Sequence, residues 1–123
     1  MIIKHVEFPI LVELKQYLFE YCENLESIKG YIKLPPNSSY MFANCKNLKY
    51  ITDICDTSNV INMKCMFSNA QLFNCDINHW SISNVIIMRG MFIDAKSFNR
   101  KLNKWDLTLV NNIDYMFYNC LIK

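Results

Sequence analysis

Met41-Phe42-Ala43-Asn44-Cys45 returns as Met66-Phe67-Ser68-Asn69-Ala70, again as Met91-Phe92-Ile93-Asp94-Ala95, and a last time as Met116-Phe117-Tyr118-Asn119-Cys120. Each return comes 25 residues after the one before, and no Met-Phe falls out of register. The dipeptide takes four of the seven Met and four of the eight Phe, so the chain reads as stacked copies of one unit.

Working outward from Met as position one, whole columns keep their character. The eighth is Leu48, Phe73 and Phe98; the fifteenth is Cys55, Trp80 and Trp105; the twentieth is Val60, Val85 and Val110; the twenty-third is Met63, Met88 and Ile113. With two residues deleted, Leu18-Phe19-Glu20-Tyr21-Cys22 aligns with Met41 to Cys45 and opens a divergent unit. The 123 residues then form a single repeat domain: an N-terminal strand and helix start over 1–17, a divergent copy over 18–40, copies over 41–65, 66–90 and 91–115, and a truncated one over 116–123. Apolar columns imply identical side chains lying one above another, with Met, Phe and Trp as ladders of a continuous core. A composition of 52% hydrophobic and 20% charged residues fits a packed chain and not a disordered one.

Within a unit the pattern changes halfway. Leu48 to Ile51 and Phe73 to Ile77 read as short strands, and Thr57 to Val60 and Ile82 to Val85 as further extended pieces. Met63 to Ala70, Met88 to Ala95 and Ile113 to Cys120 place apolar residues three and four apart, as one face of a short helix requires. Ile2 to Phe8 alternates like a strand, and Pro9 precedes an amphipathic helix over Ile10 to Tyr21. The expected fold class is α/β, each copy a short strand followed by a helical turn.

The elements Met-Phe-x-Asn-Cys/Ala, Ser/Lys-Phe-Asn, Trp-Asp/Ser-x-Ser/Thr-Asn-Val and Asn/Ile-x-Met resemble the 25-residue repeat of the BspA-like leucine-rich repeat family, the mycoplasma-lipoprotein type of surface repeat. The match is best from Met41 to Cys120 and weaker from Leu18; between Val6 and Leu34 the chain is similar to the related 23-residue version. The resemblance implies a right-handed leucine-rich-repeat-like solenoid of about five coils and a role in binding other macromolecules. It carries over no catalytic residues. Many members are surface proteins, whereas the stretch from Met1 to Pro9 lacks the pattern of a secretion signal, and no run of about 18 apolar residues offers a membrane span. The localisation expected is cytoplasmic or host-intracellular.

Six Cys mostly occupy ladder positions and read as buried small side chains, with a Cys22–Cys45 bond between neighbouring copies as the sharper alternative. Cys45, Cys55, Cys65 and Cys75, with His79 nearby, fall in four different columns and lack the paired spacing of a zinc site. Asp56 and Asp106 share a column with Ser81, where turn capping is a plainer role than acid chemistry. With two Gly and no nucleotide loop, the reading is a non-enzyme without cofactor or metal. Most of the fifteen Asn recur in columns and mark turns.

A net charge of +2 gives no push towards nucleic acid or membrane. Columns that vary beside fixed ones are the binding candidates. These are Lys49, Asn74 and Asn99 at position nine, Ile51, Asp76 and Lys101 at eleven, and Ile54, His79 and Lys104 at fourteen, joined by Tyr50 and Arg100. The function expected is a protein–protein interaction module presenting this strand-side surface to a protein partner. The alternatives are a fragment of a cell-surface adhesin and a structural repeat protein that self-associates as a homo-oligomer through an uncapped C-terminal edge.

Overall fold

The structure, a computed structural model, describes residues 2–122. It holds four strands: β1 (His5–Glu13), β2 (Ser27–Lys33), β3 (Tyr50–Ile51) and β4 (Cys55–Asp56). All pairings are parallel, β1 on one side of β2 and both β3 and β4 on the other. The two short strands share one edge of β2, with Ile51 opposite Ile28 and Cys55 opposite Ile32. Between them the Thr52 hydroxyl donates to the Gly30 carbonyl and accepts from the Ile54 N–H, closing the gap in the ladder. Gly30 lies at φ 100° beneath a register shift in β1, where any Cβ would collide with the Phe8 carbonyl.

The α/β solenoid of strand and helical turn is overturned: the described residues contain no helix, and the sheet stops at β3 and β4. β1 runs on through Pro9 to Glu13, where a helix was expected from Ile10, and the chain then turns at 16–21. The stretches 73–77, 57–60 and 82–85 are likewise not strands.

What stands in place of helices explains the misleading spacing. In the copy beginning near Ser38, the N–H groups of Met41, Ala43 and Cys45 close three overlapping turns onto the carbonyls of Ser38, Tyr40 and Phe42. The interleaved N–H groups of Ser38, Tyr40, Phe42 and Asn44 donate instead to Asn62, Lys64, Met66 and Ser68 of the next copy, at 2.8–3.0 Å. The same alternation links 63–69 to 87–93 and 88–94 to 112–118. From Ser38 to Cys45 every backbone donor is thus satisfied, half locally and half between copies, the Ser39 N–H through the Asn37 side chain. The outer turns each need a third residue at positive φ. Tyr40 and Asn44, Cys65 and Asn69, Gly90 and Asp94, and Tyr115 and Asn119 all lie between 51° and 63°. Two left-handed residues per copy and donors committed to a neighbour exclude the i to i−4 bonding of a helix, while the turns still repeat apolar residues three and four apart.

The turns face a core of buried Met, Phe and Trp. Phe19, Phe42, Phe67, Phe92 and Phe117 form one column, successive ring centroids 5.3–6.1 Å apart and planes within 13° of parallel. That rise is slightly above the ~4.8 Å between paired strands. A second column, Phe73 over Phe98, stacks beside the first at 4.1 Å from Phe67 and 4.3 Å from Phe92.

Candidate functional site

On the strand side, backbone pairing gives way to side chains beyond β3 and β4. Cys75 Sγ donates to the Lys49 carbonyl and lies 3.4 Å from the Ile51 nitrogen, so a thiol occupies the place of a ladder partner. Thr57 Oγ1 donates to the Ser81 carbonyl and Asn84 Nδ2 to that of Ser58. One copy further on, Asn74 Oδ1 accepts from the Asn99 N–H and its carbonyl accepts from Arg100 Nε at 2.8 Å. Asn78 Oδ1 accepts from the Lys104 N–H, and its Nδ2 donates to Asn103 Oδ1, also at 2.8 Å. Trp105 Nε1 reaches the Ile77 carbonyl at 3.2 Å.

These bridges frame a shallow depression of about 400 Å³ lined by Asp76, Asn78, Asn99, Arg100, Lys101 and Asn103. Of the residues expected on the binding surface, it gathers Asp76, Asn99, Arg100 and Lys101. Lys49, His79 and Lys104 are exposed outside it, as is Tyr50 at 41%, and Asn74 is half-buried below it. Ile51 is the exception: β3 turns it inward to 4% exposure, so it belongs to the core and not to the face. Asn78 and Asn103 are the lining residues that sequence reasoning assigned to turns alone. Their signal was their shared column, since an amide repeated in register can bridge neighbouring copies as well as cap a turn.

The remaining polar groups have structural partners. Asp56 Oδ1 accepts from Ser58 N–H and Oγ, and Asp106 Oδ1 from Thr108 N–H and Oγ1. Those bonds hold both carboxyls below the ordinary range, as charged acceptors in turns should be. His5 Nδ1 lies 2.7 Å from Ser27 Oγ, a cross-strand pair between β1 and β2. Ser27 is buried and its N–H bonds to the Lys4 carbonyl. Burial pushes the Cys45 and Cys55 thiols up to about 12, and Cys45 donates to the Phe19 carbonyl at 2.9 Å rather than bonding to Cys22.

Fold and face together define a repeat protein whose copies are joined by turn ladders and which presents a polar surface between copies. The chain belongs to a family described as Mycoplasma protein of unknown function, DUF285, whose profile matches residues 15–122. In broad terms this is the BspA-like mycoplasma repeat family indicated by the Met-Phe motif. No curated protein and no solved structure matches the chain. Among the described residues, no helix is long and apolar enough to cross a membrane.

Proposed function

We propose that the chain is a non-enzymatic protein-interaction module that binds a partner through its strand-side face. The supporting observation is the depression between the third and fourth copies, where side chains from adjacent units are locked by hydrogen bonds while their charged ends stay exposed. Such a surface is preorganised, which lowers the ordering cost of association. Two of the six thiols, Cys45 and Cys55, are pushed up to about 12 by loss of water, which speaks against either acting as a nucleophile.

The test is affinity capture with the wild-type chain and with a variant carrying Lys49→Glu, His79→Glu and Lys104→Glu. All three sites are exposed, so the fold should survive, with an unchanged circular dichroism spectrum as the check. Proteins retained by wild type should be lost from the variant. Identical sets retained by both, and by a second variant carrying Arg100→Glu and Lys101→Glu, would retire this face.

A further inference from the structure

The depression between the third and fourth copies has more free donors than acceptors. Arg100 uses Nε on the Asn74 carbonyl, and no described residue engages its Nη atoms. The ion pairs among described residues are Lys4–Glu26, Lys46–Glu23 and Arg89–Asp114, so Arg100, Lys101 and Lys104 are without a carboxylate partner. Asn103 accepts through Oδ1 from Asn78, which leaves its own Nδ2 protons for a ligand. Opposite these stands one lining carboxylate, Asp76, whose Oδ1 already accepts from the Asn78 N–H. Donor-rich linings with fixed guanidinium groups recognise anionic acceptors, carboxylates and phosphates alike.

We propose that this depression binds the carboxylates of an acidic peptide segment of the partner. Arg100 and Lys101 pair with the acidic side chains, the Asn103 amide donates to a carboxylate or a peptide carbonyl, and Asp76 accepts a peptide N–H. The inference rests on the interaction reading above and specifies its partner. A peptide fits better than a nucleic acid because it offers Asp76 a backbone N–H between spaced carboxylates where a continuous phosphate chain offers none, and a net charge of +2 supplies little of the long-range attraction that such a polyanion uses.

Fluorescence anisotropy at low ionic strength, with the full chain and a labelled peptide of alternating Glu and Gly, tests this directly. A Gln-Gly peptide and a thymidine oligonucleotide of equal charge are the controls. The Glu peptide should bind about 10-fold or more tighter than its Gln counterpart. Arg100→Gln with Lys101→Gln should abolish that preference, Asp76→Asn should strengthen binding, and Lys64→Gln on the turn column should leave it unchanged. In wild type, amide shifts on titration should be confined to residues 74–78 and 99–104, which decides the matter even if the double variant does not fold. Equal affinity for Glu and Gln peptides overturns the proposal, as does tighter oligonucleotide binding at these residues. Captured proteins lost from the Lys49, His79 and Lys104 variant without any Glu preference would sink this inference and leave the interaction reading standing. Glu preference with unchanged capture would support the inference and take Lys49, His79 and Lys104 out of the binding face.

Discussion

Asn44, Asn69, Asp94 and Asn119 each do two jobs. Their backbones take a left-handed φ between 54° and 62° that most residues avoid and Asn tolerates. Their side chains link copies, Asn69 Nδ2 to Asn44 Oδ1 at 2.9 Å and Asn119 Nδ2 to Asp94 Oδ1 at 2.6 Å. Asn69→Ala loses both contributions and should lower unfolding free energy by about 1–2 kcal/mol in denaturant titration. Asn69→Gly keeps the backbone conformation, so it should fall between wild type and Ala; equal losses in the two variants would show that the side-chain bridge, not φ, dominates. Gly90 occupies the other left-handed column, φ 63°, where a Cβ would sit 2.8 Å from Ile93 Cδ1 and 3.1 Å from Cys65 Sγ. Gly90→Ala should cost about 1 kcal/mol, read as a lower denaturation midpoint; Cys65 and Tyr115 in the same column show that a side chain is survivable there.

Among the elements, the Phe column and the turn ladder depend on each other. Phe67 stacks on Phe42 and Phe92 along the column and on Phe73 beside it, so its loss opens a cavity bounded on three sides by rings. Phe67→Ala should destabilise by about 3–5 kcal/mol in denaturant melts, whereas Phe117→Ala, half-buried and stacked on Phe92, should cost less than half of that. Equal losses would mean that the column does not act as a core ladder. The strands show why local sequence misled. Apolar spacing of three and four suits a helix and overlapping turns alike; what separates them is whether alternate N–H groups find acceptors in another copy. Here they do, and β1 likewise overrides a helical pattern from Ile10 by pairing with β2. Past β3, side chains such as Cys75 and Asn74 take over the bridging, which ends the sheet where strands had been expected to continue.

Across the whole molecule, buried thiols give stability an alkaline limit. Cys45 and Cys55 are held at about 12 against an ordinary value of 9.0, mainly by loss of water around the sulfur. Folded values above unfolded ones mean that this stability is complete below pH 9 and is lost as pH rises from about 9 towards 12, because only the unfolded chain releases those protons. Denaturation midpoints should therefore fall as pH rises from about 9 towards 12, and Cys45→Ala with Cys55→Ala should flatten the decline; an identical pH slope in that variant would remove the thiols from the account. The sequence alone determined the 25-residue register, the ring column, the turn-forming Asn and most of the exposed face, because a repeated side chain in a repeated place needs no knowledge of distant partners. Only the tertiary structure decided that the turns are not helices, that Ile51 points inward, and that Asn78 and Asn103 close a depression beside Arg100 and Lys101. Each of those depends on which backbone donors and amide groups meet across copies, and hydrogen-bond partners 25 residues apart are fixed by stacking geometry and not by local pattern.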